Sequence, residues 1–86
     1  MVAYAQGMSP TIFRDGQFRF YFFSREEPRR HVHVQCPDGE AKFWLEPQMV
    51  LAQNYGLNDH QIRTVAALIE DHADEIRTAW DRHFGG

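Results

Sequence analysis

At 86 residues the chain is long enough for one domain and too short for two. Hydrophobic residues make up 43% and charged residues 24%, a balance that excludes a disordered tail, while the single Cys36 excludes an intramolecular disulfide and a Cys-rich zinc site. A net charge of −3 lacks the basic surplus that a generic nucleic-acid binder draws its affinity from.

The opening MVAYAQGMSP has neither a basic n-region nor an apolar h-region, so no signal peptide is expected. Residues 1–7 read as an extension, and residues 8–86 as a single α+β domain. Asp15-Gly16 is a hairpin signal between TIFR and the run FRFYFFS. In that run Phe18, Phe20 and Phe22 point one way and Arg19, Tyr21 and Phe23 the other. A polar loop follows, SREEPRR, in which Pro28 interrupts pairing. His31 to Cys36 alternates again, Val32, Val34 and Cys36 against His31, His33 and Gln35. Pro37-Asp38-Gly39 is a turn, with Pro presetting φ and Gly accepting a positive one. Glu40 to Glu46 sets Ala41, Phe43 and Leu45 against Lys42, Trp44 and Glu46. A last short strand is expected over 48–52, ended by Asn54-Tyr55-Gly56.

The period then becomes helical. Ile62, Val65, Ala66, Ile69, Ala73, Ile76, Trp80 and Phe84 recur at three and four. Asn58 suits an N-cap, with Gln61 completing a capping box and Leu57 with Ile62 a hydrophobic staple. The stripe holds its phase throughout, so the expectation is one helix over 59–84, with a break near 71–74 as the alternative. The fold class is therefore α+β: a four- or five-stranded antiparallel sheet, one face covered by a long C-terminal helix. The expected core sets Phe18, Phe20, Phe22, Val32, Val34, Phe43 and Leu45 against Ile62, Val65, Ile69, Ile76 and Trp80.

Several segments in this order carry a resemblance. They are Met8-Ser9-Pro10-Thr11-Ile12, the aromatic run 18–23, and Pro28-Arg29-Arg30-His31-Val32-His33-Val34; then Ala41-Lys42-Phe43-Trp44-Leu45, and the stretch from Ile76 to Trp80. Together they resemble domain-of-unknown-function family 4160, a family of small bacterial proteins. The Arg29-Arg30 insertion between Pro28 and His31 departs from the commoner, shorter form. The resemblance implies an adjacent gene for a small protein of domain-of-unknown-function family 2442, in an arrangement similar to a toxin–antitoxin pair. It implies no activity.

Three features could carry chemistry. His31 and His33 share a strand face at about 6.6–7 Å, a spacing that suits a shared metal or an acid–base pair across a phosphate. A metal would need a third ligand from Glu26, Glu27, His60, His72 or His83. The structural alternative, given the greatest weight, is that these are exposed strand histidines whose rings pack on Tyr21 or Trp44. Arg29 and Arg30 precede the pair and could hold an anion. Arg19, Tyr21, Phe23, His31, His33, Lys42 and Trp44 fall on the face opposite the apolar alternation. Such a mixture suits a protein interface or stacking on single-stranded RNA, and the acidity of the chain favours the interface. The acidic residues of the helix read as a solvated face.

The leading functional expectation is thus a toxin–antitoxin-like module component acting by protein–protein binding, with a small partner from an adjacent gene. A homo-oligomer is also expected, with Tyr21 and Trp44 at interfaces. The alternative is a small endoribonuclease using His31 and His33, and the third reading a metal-binding domain. No cofactor is expected, a metal at the two histidines being possible but not favoured. With no stretch near the roughly 20 apolar residues of a membrane span, a cytoplasmic location is expected.

Overall fold

The computed structural model describes residues 11–23 and 28–85. The expected extension 1–7, the Met8-Ser9-Pro10 start and residues 24–27 of the polar loop lie outside the described residues. Five strands follow one another in space as in sequence: β1 (Thr11–Asp15), β2 (Phe18–Tyr21), β3 (His31–Cys36), β4 (Gly39–Trp44) and β5 (Val50–Tyr55). All neighbours are antiparallel, the meander expected of short turns between alternating strands. Two helices complete the chain, α1 (Asp59–Asp71) and α2 (Ala73–Phe84).

The turns follow from composition. Asp15 pairs with Phe18, so Gly16 and Gln17 form a two-residue hairpin loop, and Gly16 takes a φ of 58°. Cys36 pairs with Gly39, which leaves Pro37 and Asp38 as the β3–β4 turn and makes Gly39 the first residue of β4. Gly39 is needed there for space. A Cβ on it would stand 2.0 Å from the Tyr55 carbonyl oxygen and 3.0 Å from the Gly56 Cα.

Phe20, Phe22, Val32, Val34 and Phe43 are buried on the helix side of the sheet against Val65, Ile69, Ile76 and Trp80, in the register the alternation predicts. Leu45 and Ile62 pack at its margin, partly buried. Phe22, just past β2, meets Trp80 edge to face at 5.3 Å, which seats the last turns of α2 beside the end of that strand.

The expected strand over 48–52 is displaced to Val50–Tyr55. Residues 45–49 are consumed in turning back beside β4, and pairing resumes only at Trp44↔Val50. It then runs the length of its partner, to Glu40↔Tyr55, carrying Asn54 and Tyr55 into the ladder despite their turn-like character.

The single long helix is also corrected. The helical region breaks at His72, with φ −107° and ψ 18°, the place expected only as the alternative. A straight helix over 59–84 would be about 39 Å long, more than the 36 Å of the molecule's longest axis. Breaking at His72 lets both halves keep the apolar stripe on the sheet. The His72 ring stacks on Phe13 at 3.9 Å and its Nδ1 lies 2.8 Å from Glu75 Oε1. At the start of α1 the capping box forms as expected. Gln61 N–H donates to Asn58 Oδ1 at 2.8 Å, and Asn58 N–H to Gln61 Oε1 at 2.9 Å. Gln61 Nε2 then donates to Asp38 Oδ2, joining the helix start to the β3–β4 turn.

Candidate functional site

The face of the sheet away from the helices is built in rows across the strands. Tyr21, His33, Lys42 and Gln53 are cross-strand neighbours in one row, and Arg19, Gln35, Glu40 and Tyr55 in the next. His31, Trp44 and Val50 form the third. Six of the seven residues expected on one face, Arg19, Tyr21, His31, His33, Lys42 and Trp44, are therefore brought together, and Phe23, just past β2, joins them through Tyr21 and His33.

The interior of this patch is far less exposed than the alternation suggests. Tyr21, His31 and Lys42 are all buried. His31, expected on an open surface, has zero exposure. It stands at the end of β3 where α2 passes the sheet, with its ring centroid 5.1 Å from Trp80, 5.2 Å from His33 and 5.6 Å from Trp44. Its Nδ1 lies 2.6 Å from the Arg29 carbonyl oxygen. A carbonyl only accepts, so Nδ1 carries the proton and the ring is fixed to the chain two residues back. The ring contacts are those of the packing alternative, but on a His31 that is buried where exposure was expected: His31 lies edge-on to Trp44, and His33 stacks on Tyr21 at 5.4 Å and leans on Phe23 at 4.5 Å.

The margin of the patch is open. Phe23 is 40% exposed, Trp44 and His33 are half-buried, and Arg29 is exposed. Two cations converge on Trp44, with the Arg29 guanidinium carbon 4.3 Å and Lys42 Nζ 4.4 Å from its ring centroid. Arg29 Nε also donates to the Glu46 carbonyl. Arg30 has a different place. Its guanidinium meets Asp81 Oδ1 on α2 and lies 3.5 Å from Glu46 Oε2, tying the end of the sheet to the helix. Two carboxylates thus already engage Arg30, one of the two cations expected to hold an anion.

The ligand candidates for a metal are dispersed. His72 is on Phe13, His83 lies near Phe22 and Phe84, and Glu26 and Glu27 are outside the described residues. Among the described residues no three His, Cys, Asp or Glu side chains cluster in a metal-binding arrangement. Cys36 is partly buried against the core, the structural thiol its alternation with Val34 implies. Missed from sequence is a shallow hollow at the other end of the sheet, lined by Arg14, Gln17, Arg19 and Gln35. There Arg19 donates to Thr11 Oγ1 and Gln35 Oε1 and lies over the Tyr21 ring at 4.5 Å. Nothing in the alternation of β2 announces that arrangement, since it depends on which strands flank it.

A family model described as a domain of unknown function, DUF4160, matches residues 17–81. The chain belongs to the DUF4160 family. The matched span holds β2 to β5, His31 and His33, Trp44 and the helical region as far as Asp81, so the whole aromatic and cationic face lies inside the DUF4160 domain. The Met8–Ile12 segment and β1 precede it. No curated protein and no solved structure matches the chain. Among the described residues, no helix of this DUF4160 protein is long and apolar enough to cross a membrane.

Proposed function

We propose that this DUF4160 protein is the binding component of a two-gene, toxin–antitoxin-like module in the cytoplasm. It engages the small protein encoded beside it through the open margin of the aromatic and cationic face. The observation that carries this reading is exposed Arg29 lying over the half-buried Trp44 ring, on the same face as exposed Phe23, which leans on His33. Tryptophan, tyrosine and arginine dominate binding energy at protein interfaces, above all where a pocket excludes water around them. A partner presenting a carboxylate next to an apolar side chain would meet the exposed Arg29 guanidinium and the Trp44 ring at once. The chain's net charge of −3 opposes a polyanionic ligand instead.

The nuclease alternative has less support, because His31 is fully buried with Nδ1 engaged by a backbone carbonyl. A phosphate-cleaving pair needs both imidazoles within hydrogen-bond reach of substrate. The test is co-expression with the product of the adjacent gene, followed by size-exclusion chromatography. The wild-type chain is expected to co-elute with that protein, and Phe23→Ala, folded by circular dichroism, to co-elute less. Separate elution of the wild-type pair, or RNA cleavage lost in His33→Ala, would overturn the reading.

A further inference from the structure

Three of the four large hydrophobic residues exposed among the described residues lie on a single strand, β5: Val50 at 44%, Leu51 at 40% and Tyr55 at 61%. β5 is an edge, paired with β4 on one side and with no described strand on the other. Edge strands are ordinarily protected by lysine, proline or inward charge, and β5, VLAQNY, has none of these. The opposite edge, β1, carries Arg14 and Asp15.

We propose that β5 is a self-pairing edge, and that its occupant is β5 of a second copy, antiparallel about a two-fold axis at the Ala52–Gln53 peptide. The decisive feature is the irregularity in the β4–β5 ladder. Lys42 pairs with Gln53 but Phe43 with Leu51, which leaves Ala52 as an extra residue. That bulge resets the alternation. Val50, opposite Trp44, shares the outer face with Gln53, opposite Lys42, and Tyr55, opposite Glu40. Leu51, opposite Phe43, shares the helix face with Asn54, opposite Ala41.

In the two-fold pairing Val50 stands opposite Tyr55 of the second copy, both on the outer face. Leu51 stands opposite Asn54, both on the helix face. A regular six-residue strand could not satisfy this register, since its two ends would face opposite ways. The bulge makes the ends match. A bulge usually turns an edge away from partners; here it lies at the dyad, and the residues on either side carry the ladder. The absence of charge in β5 means that no like charges meet. Val50 opposite Tyr55 is a β-branched and aromatic pair, made twice. A contact of one strand per copy belongs to the small, transient class of interfaces. Trp44 would lie one strand inside the contact, behind Val50. This inference does not depend on the proposed function, since it uses a different edge of the sheet and a different partner.

Sedimentation equilibrium of the full chain from about 1 μM to about 1 mM tests it. The wild type is expected to be a reversible monomer–dimer system. Val50→Glu removes one partner from both symmetric pairs, and Tyr55→Lys removes the other. Each should raise the dimer dissociation constant about tenfold while leaving the circular dichroism spectrum unchanged. The double variant Val50→Glu/Tyr55→Lys places opposite charges at both pairs and should return the constant to within about threefold of wild type. A wild type that stays monomeric over the whole range overturns the proposal. So does a dimer indifferent to both single changes, or a double variant no better than the singles, which would place the contact or the register elsewhere.

Discussion

Substituting Gly39 by Ala tests how the corner of the sheet is closed. The added Cβ would stand 2.0 Å from the Tyr55 carbonyl oxygen and 3.0 Å from the Gly56 Cα, both backbone atoms. Neither can swing aside as a side chain would. Gly39 is held by its pairing with Cys36, and Tyr55 by its pairing with Glu40. Relief therefore needs separation of the β3–β4 turn from the β5–α1 turn, which also strains the bond from Gln61 to Asp38. Overpacking typically costs about 1–3 kcal/mol, and a clash between two backbones belongs at the upper end. A domain of this size holds on the order of 4–13 kcal/mol in total. In urea, with a slope of about 1–2 kcal/mol per molar, a loss of about 3 kcal/mol lowers the midpoint by about 1.5–3 M. The control is Gly16→Ala, where a Cβ meets nothing within 4 Å and the only penalty is φ of 58°. That left-handed conformation costs a non-glycine residue about 1–2 kcal/mol. If Gly39→Ala lost no more stability than Gly16→Ala, the close approach of the two turns would be wrong.

Two further outcomes follow from the site and the helix start. His31→Ala empties a fully buried position bounded by Trp80 and Trp44, and should cost about 2–4 kcal/mol in chemical denaturation. His33→Ala, at a half-buried position, should cost less; equal losses would contradict the packing described for His31. Asn58→Ala removes the acceptor for Gln61 N–H and should lower stability by about 1 kcal/mol, read as a drop in melting temperature of about 4–8 °C. An unchanged melting temperature would mean that the capping box contributes nothing.

Strand identity was legible because period-two alternation survives in the fold: the even-numbered phenylalanines of 18–22 are buried, as are Val32 and Val34. The break at His72 was not decided by pattern, because Ile69, Ala73 and Ile76 continue the helical spacing across it. The break shows only in the assembled domain, where the His72 ring stacks on Phe13 of β1. The extension of β5 through Tyr55 was hidden for a similar reason. Asn54-Tyr55-Gly56 has turn composition, and only pairing with Glu40 and Ala41 draws its first two residues into the ladder. Gly39 was legible as a positive-φ glycine, and it takes a φ of 158°; the close approach that also demands glycine was not, since the backbone it meets lies sixteen residues ahead. The membership of the aromatic and cationic face could be read from alternation, whereas the burial of Tyr21, His31 and Lys42 could not. Alternation assigns a side of the sheet and carries no information about what covers it. The engagement of Arg30 by Asp81, fifty-one residues away, likewise has no local signature.

The proposed function places protein binding at the open margin around Trp44. Isothermal titration of the adjacent gene's product and of a single-stranded RNA into the wild type and Trp44→Ala, each shown to be folded, tests it most directly. The protein ligand is expected to bind the wild type, and Trp44→Ala to weaken that binding by at least about 30-fold, the 2 kcal/mol or more of an interface hot spot. No saturable binding of the RNA is expected. Saturable RNA binding that disappears in Trp44→Ala, with no heat from the protein ligand, would contradict the proposed function.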